Sequence, residues 1–219
     1  EAPDLTVPPS GNGKHQIFRR DRKKGKNLLV TQKAGQIGND MSLRPVISRN
    51  GRKIAFTSRS TNLAGATGGF DQVFWTDLVT GEMVRVSSVN GMPANSFCSD
   101  PVISPDGNHV VFSSPATNLP GAIGGGKYGS YIWSHGDTGV ESIGLGPSDE
   151  APDNHCVLAS VSQGGRFVSF STASSSWGFA AAYVPGPNVY LRDRKHGTTQ
   201  LVSAGIGGAA DGSSYNTAL

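Results

Sequence analysis

The feature of this sequence that most constrains its fold is an internal repeat. One unit reads QIFRRD, QVFWTD, SYIWSH and NVYLRD, and its copies begin at Gln16, Gln72, Ser130 and Asn188. The spacings between these copies are 56, 58 and 58 residues. A second unit reads GRKIAFTS, GNHVVFSS and GRFVSFST, with copies beginning at Gly51, Gly107 and Gly165 at spacings of 56 and 58. Because two separate units share one period, the chain is interpreted as a repeat protein.

Each repeat contains four short apolar segments rich in Val, Ile, Phe and Tyr. In the second repeat these are residues 45–48, 53–58, 72–76 and 83–87. Their length and composition are typical of strands, and none has sustained helical periodicity. Turn signals at residues 104–107 (SPDG) and 80–81 (TG) predict two hairpins in each repeat. We therefore predict an all-β fold, a β-propeller of four-stranded antiparallel blades whose two faces are apolar and covered by neighbouring blades.

The alignment predicts a single propeller, or a segment of one, with about three and a half to four blades in this chain. The blades span approximately residues 1–42 (partial), 43–100, 101–158 and 159–219, and the last residues begin the next inner strand. A ring closed from these residues alone lacks one second strand, and an unpaired strand position tends to recruit another chain. We expect residues outside this chain, or a strand donated by a partner, to complete it.

The basic excess of the chain is mild and local. The formal net charge is +3, and residues 19–26 hold six of the 19 Lys and Arg residues. A solvated turn and a surface for an acidic partner both remain open for this hairpin, and the balanced remainder argues against specific nucleic-acid binding. The sequence has no apolar run of about 18 residues, so no membrane span is predicted. It shows no signal peptide and begins with Glu1, so we expect a processed form or a fragment.

The loops are of two lengths. Connections between the second and third strands (residues 59–71, 115–129 and 173–187) and between repeats (88–100 and 146–158) are a dozen residues or more, whereas the others are short. In an up-and-down blade, both long classes emerge on the same face, and long loops on a rigid scaffold commonly bind partners. Loop aromatics are typical contact anchors, so the predicted interface residues are Phe70, Phe97, Tyr128, Trp177, Phe179, Tyr183 and Tyr215. Trp75 and Trp133 share a third-strand column and are expected to pack blade against blade.

The segment SPDG followed by VVFSS, an aromatic strand and a DxxTG turn resembles the TolB-type, WD40-like bacterial propeller repeat. The resemblance extends from Gln16 over nearly the whole chain. It implies a periplasmic, cell-surface or secreted bacterial protein whose propeller binds other macromolecules, since such propellers include accessory proteins, assembly proteins and domains of prolyl-oligopeptidase-like peptidases. Some relatives have an Asp-rich second-to-third loop that could bind calcium. The matching loop here, residues 66–71, has the single carboxylate Asp71, so no cofactor is predicted, with calcium as the alternative.

Two polar columns precede the first strand of each repeat. One contains Ser42, Cys98, Cys156 and Ser214. It is interpreted either as an inter-blade disulfide between Cys98 and Cys156 or as a set of small, buried, hydrogen-bonding side chains. The other contains Asn39, Asn95, Asp153 and Asp211. It is expected to cap turns through bonds to its own backbone, with a cation-binding ring as the alternative.

No catalytic constellation is recognisable, because the sequence lacks a GxSxG elbow and a phosphate-binding glycine loop. We predict a non-enzymatic, extracytoplasmic scaffold that binds a protein partner or associates with itself through the long loops. One alternative is a carbohydrate-binding propeller that stacks sugars on Trp177, Tyr183 or Tyr128. Another is the non-catalytic propeller domain of a peptidase or other hydrolase.

Overall fold

The computed structural model describes residues 13–65, 67, 69–177, 186–205, 208–209 and 214. Antiparallel strands form nearly all of the regular structure in these ranges, and the exception is a 3-10 turn at Gln163–Gly165. The predicted all-β, antiparallel architecture is therefore confirmed. No helix in the described ranges is long and apolar enough to cross a bilayer.

The strands follow the repeat. The first sheet has two strands and is followed by a small hairpin: β1 (Phe18–Asp21), β2 (Lys26–Leu29), β3 (Gln32–Lys33) and β4 (Gln36–Ile37). The second sheet and the hairpin after it comprise β5 (Ser42–Ile47), β6 (Lys53–Ser58), β7 (Gln72–Asp77), β8 (Met83–Arg85), β9 (Ser88–Val89) and β10 (Met92–Pro93). The third sheet comprises β11 (Ser99–Ile103), β12 (His109–Ser114), β13 (Gly129–Ser134) and β14 (Glu141–Ser142). The fourth sheet and its hairpin comprise β15 (Cys156–Val161), β16 (Phe167–Thr172), β17 (Asn188–Asp193), β18 (Thr198–Leu201), β19 (Ala204–Gly205) and β20 (Gly208–Ala209).

Within each of the three complete sheets, the strands lie side by side in sequence order. The first strand of the third sheet, β11, contacts the first strands of both neighbouring sheets, β5 and β15. Three sheets whose first strands meet while their later strands lead outward form a propeller-like arrangement.

The hydrophobic core lies between consecutive sheets. Trp75 and Val86 of the second sheet share one buried cluster with Phe112 and Tyr131 of the third sheet. A comparable cluster joins the first and second sheets, and another joins the third and fourth. Because β6 and β7 are covered on both faces, nearly all of their residues are buried, as the two-sided apolar pattern predicts.

Trp75 is the largest fully buried side chain among the described residues, and it lies between the second and third sheets. Its side chain is 0% exposed, and its ring lies 5.4 Å from that of Trp133, so the predicted blade-to-blade packing of these two residues is confirmed. Its Nε1 donates a hydrogen bond of 2.7 Å to the carbonyl oxygen of Gly107, which lies in the SPDG turn of the third sheet. Arg19 makes the equivalent contact one repeat earlier, donating from Nη1 to the carbonyl oxygen of Gly51 at 3.2 Å.

The inner strands depart from the predicted two-sided burial. Leu43 and Ile47 of β5 are 40% and 51% exposed, and most of this strand is open to solvent. The reason is geometric: the first strand of each sheet borders the space where the sheets converge, and only its outward side is covered by its own sheet.

The loops between repeats contain small hairpins that the sequence interpretation missed. β9 and β10 pair through the turn Asn90-Gly91, whose φ angles are 51° and 77°. Two successive left-handed residues define the turn that joins tight hairpins, and Asn-Gly is its strongest signal. The signal was therefore present in the sequence, but the flanking strands are only two residues long and lack an apolar pattern.

Candidate functional site

The long loops meet on one face of the sheets, here called the loop face. They are tied together by side chains of the column that contains Asn39, Asn95 and Asp153, which we call the Asx column. The amide of Asn95 donates from Nδ2 to Thr117 Oγ1 at 2.8 Å, and its Oδ1 accepts from the N–H of Thr117 at 2.9 Å. Asn39 and Thr61 form the same pair at the same two distances. The expectation that this column caps its own backbone was wrong for its three described members, because Asn39, Asn95 and Asp153 instead link the loop between repeats to the loop between the second and third strands. The fourth member, Asp211, lies outside the described residues.

This link supports a stability prediction. Replacing Asn95 with alanine is expected to lower the free energy of unfolding by about 1–2 kcal/mol, since it removes both bonds to Thr117. Asn95→Asp is the matched control, because an aspartate can make this link: Asp153, at the equivalent position one repeat later in the column, accepts hydrogen bonds from Ser175. We expect the aspartate variant to lose less than about 0.5 kcal/mol. Chemical denaturation of both variants measures the difference, and equal losses would contradict the role of the acceptor oxygen.

The column of Ser42, Cys98, Cys156 and Ser214, which we call the Ser/Cys column, marks a backbone bond between neighbouring sheets. At every copy of the column, the N–H donates to the carbonyl of a residue that lies one to three positions before the third strand of the previous sheet. The pairs are Ser42 to His15 at 2.9 Å, Cys98 to Asp71 at 2.7 Å, Cys156 to Tyr128 at 2.7 Å and Ser214 to Pro187 at 2.8 Å. The same main-chain hydrogen bond therefore connects neighbouring sheets at each step along the loop face.

Cys98 and Cys156 are both free and buried, so the disulfide interpretation was wrong. The two side chains belong to different hydrophobic clusters, one between the second and third sheets and one in the fourth sheet. Burial raises the pKa of the Cys98 thiol to about 11 and that of the Cys156 thiol to about 12. Both therefore stay protonated near neutral pH and are poor nucleophiles.

A cavity of about 500 Å³ opens on the loop face, where the inner strands of the second, third and fourth sheets begin. Its lining includes Leu43, Arg44, Asp100, Phe97 and Tyr128. We call it the loop-face pocket. It combines an exposed apolar residue, two aromatic rings and a pair of opposite charges, which is the usual chemistry of a recognition site.

Arg44 and Asp100 bring charge to this pocket through an irregular backbone. They occupy equivalent places on β5 and β11, where the pairing register shifts, and their φ angles are 53° and 52°. Left-handed φ is uncommon for residues other than glycine and costs of order 1–3 kcal/mol where it is imposed. The two bulges place the guanidinium of Arg44 against the carboxylate of Asp100, so an ion pair joins two neighbouring inner strands.

Phe97 and Tyr128 form the aromatic rim of the pocket. Phe97 is 40% exposed, and its ring meets that of Tyr128 edge to face with centroids 5.7 Å apart. Tyr128 lies 5.5 Å from the ring of His155, and its N–H donates to His155 Nδ1 at 3.1 Å. Of the predicted interface residues, Phe97 and Tyr128 are thus in contact with each other at this pocket. Phe70 is also 40% exposed but does not line this pocket.

The prediction that Trp177 is an interface residue was wrong, because its side chain lies in the core and its ring is not accessible to a partner. It is 4% exposed and packs against Phe170 and Tyr190 with centroid distances of 6.0 and 5.1 Å. It takes the place that the buried residues Leu63 and Leu119 hold in the two earlier repeats. The predicted interface residues Phe179, Tyr183 and Tyr215 lie outside the described residues.

Asp71, the carboxylate of the loop compared with calcium-binding relatives, already has a cationic partner. Arg59 donates from Nε and Nη2 to its two oxygens at 3.0 and 3.1 Å. This fork also raises the pKa of Arg59. Asp71, which itself lines the loop-face pocket, therefore fixes the second-to-third loop at the wall of that pocket.

The sequence matches no protein-family model, and it matches no curated protein. Among solved structures, it is similar to a prolyl endopeptidase with 14% identity over 89% of this chain and 27% of that one, at a TM-score of 0.53. It is similar to an oligogalacturonate lyase in complex with manganese with 13% identity over 86% of this chain and 48% of that one, at a TM-score of 0.50. For TolB from Acinetobacter baumannii, the identity is 18%, the coverages are 89% and 39%, and the TM-score is 0.49. The chain thus spans less than half the length of each. At such identities, the first two likenesses show the fold alone, and this chain has a propeller-like fold of antiparallel sheets.

Proposed function

We propose that this chain is a non-catalytic, extracytoplasmic protein-binding module, and that the loop-face pocket receives a segment of the partner protein. The observation that carries the proposal is the contact between the exposed ring of Phe97 and the half-buried ring of Tyr128, beside the Arg44–Asp100 ion pair. Aromatic anchors flanked by polar groups are the residues that most often dominate binding energy at protein interfaces.

The size of the loop-face pocket limits which part of a partner protein can enter it. A cavity of about 500 Å³ accommodates a few side chains, so it suits an inserted segment with an apolar or aromatic anchor. The Arg44–Asp100 pair at its wall offers both a donor and an acceptor, which favours a peptide because a peptide presents both kinds of group along its backbone. Carbohydrate stacking has less support, because Trp177, one of the three rings predicted to stack sugars, is buried.

Site-specific photo-crosslinking tests this proposal for a partner of any identity, because the photoreactive group captures whatever protein touches it. A photoreactive phenylalanine analogue is placed at position 97 in one variant and at position 79 in the other. Val79 is 71% exposed and lies in the turn after β7, at the opposite face, so it is the matched control. We expect crosslinked protein, either a partner from bacterial envelope extract or a second copy of the chain, from position 97 alone. Tyr128→Ala should weaken binding of the captured protein at least about tenfold.

Two results would overturn the proposal. One is equal crosslinking from positions 97 and 79 together with a monomeric chain in sedimentation. The other is selective retention on a glycan array that Tyr128→Ala abolishes, which would support the carbohydrate-binding function instead.

A further inference from the structure

The hairpin of residues 19–26 concentrates the positive charge of the molecule on one tip. It contains six cations and one carboxylate, a net charge of +5, whereas the whole chain carries +3, so the remainder carries −2. Five of these cations, Arg20, Arg22, Lys23, Lys24 and Lys26, are exposed. We call these five residues the basic tip.

The cations of the basic tip have no carboxylate partners within ion-pair distance in the part of the chain that the structure describes. At the equivalent turns of other sheets, an arginine is paired with an aspartate. Arg52 is paired with Asp77 and Arg166 with Asp193 at equivalent turns of the second and fourth sheets. Placing five like charges together with a single carboxylate among them is unfavourable for folding, so the cluster indicates a function outside the fold.

The backbone that presents these cations is ordered. Asp21 Oδ1 accepts hydrogen bonds from the N–H groups of Lys23 and Lys24, both at 3.0 Å, and Gly25 closes the turn with a φ of 64°. The bond from the Lys24 N–H lowers the pKa of Asp21, which therefore remains ionised and keeps the turn formed. The carboxylate is directed at the backbone, and the lysine side chains project outward.

The shape of the tip indicates what it can bind. It is a convex four-residue turn, and it lines none of the cavities of about 490, 500 and 680 Å³ among the described residues. A single-stranded polyanion is typically held in a groove with aromatic stacking platforms, and residues 19–26 include no aromatic side chain. A convex cationic tip fits a flat anionic surface, where each lysine or arginine contributes separately.

We propose that the basic tip docks the protein on an anionic lipid bilayer surface. The tip lies at the turn between the third and fourth strands of its repeat, which is the end of the sheets opposite the loop-face pocket. Docking through it leaves that pocket facing away from the bilayer. The proposal does not depend on the function proposed for the pocket.

Vesicle co-sedimentation tests this with two charge-matched variants. Lys23→Gln/Lys24→Gln removes two charges from the tip. Lys14→Gln/Lys33→Gln removes two charges from the same repeat at its opposite end, before β1 and in the β3–β4 hairpin. On phosphatidylcholine vesicles mixed with phosphatidylglycerol, we expect the tip variant to bind roughly thirtyfold more weakly than the parent chain and the control variant less than about threefold more weakly.

Binding should also fall as salt rises, and it should be absent on pure phosphatidylcholine. Equal losses in the two variants would overturn the proposal, because net charge alone would then explain binding. Equal binding to neutral and anionic vesicles would overturn it as well. Retention on double-stranded DNA or an acidic polysaccharide without vesicle binding would assign the tip to a polymer instead.

Discussion

Replacing Trp75 with alanine is expected to lower the free energy of unfolding by about 3–5 kcal/mol, the range for a large buried aromatic residue. The side chain is fully buried between the second and third sheets, where it contacts Trp133 and donates to the carbonyl of Gly107. Its loss leaves a cavity at the junction and an acceptor without its donor. Urea denaturation followed by far-ultraviolet circular dichroism measures the change.

Two further variants separate the parts of this effect. Trp75→Phe retains an aromatic ring but removes the donor to Gly107, so we expect a loss of about 1–3 kcal/mol. Val79→Ala, at a residue that is 71% exposed, should change stability by less than about 0.5 kcal/mol. If Trp75→Ala were no more destabilising than Val79→Ala, the second and third sheets would not be held together by this residue.

Gly107→Ala is expected to lower the free energy of unfolding by about 2–5 kcal/mol. Its φ of +74° is left-handed, and an added Cβ would lie 2.7 Å from Lys53 Cδ and 2.9 Å from Ser48 Cβ. Both of those atoms belong to the second sheet, so the substitution strains the turn and also forces two sheets apart.

Gly81→Ala is the matched control for Gly107→Ala. Gly81 has the same φ of +74°, but an added Cβ there meets no atom within 4 Å. It should therefore show only the backbone cost, about 1–2 kcal/mol. The difference in unfolding free energy between the two variants, measured by chemical denaturation, gives the cost of the contacts at Gly107. Equal losses of stability would show that the close approach of the two sheets at Gly107 is not stabilising.

The repeat made the architecture predictable because two units recur at one period. Strands such as β6 and β12 begin where the sequence pattern places them, since alternate Val, Ile and Phe residues must be buried on both faces between sheets. The alignment of the repeats also predicts that Trp177 is buried, because Trp177 occupies the position of Leu63 and Leu119 in the earlier repeats. Its aromatic character was the misleading signal.

The loop-face pocket was predictable only in part. Loop length and aromatic content identified Phe97 and Tyr128, yet nothing local marked Arg44 or Asp100. Their left-handed backbone depends on how the first strand pairs with the second, which is a tertiary property. The fate of Cys98 and Cys156 was likewise undecidable from spacing, since it depends on which core each thiol enters.

The joint between sheets at the Ser/Cys column uses only main-chain atoms, from the N–H of Ser42, Cys98, Cys156 or Ser214 to a carbonyl in the preceding sheet. Two copies of the column are serine and two are cysteine, and the bond is the same in all four, so the connection does not depend on a particular side chain. A complete repeat cut between two successive copies of the column carries the donor N–H at its first residue and the acceptor carbonyl just before its third strand. Such a cassette can be duplicated or removed without redesigning the seam, and this offers a physical route by which a chain of this kind gains or loses whole repeats.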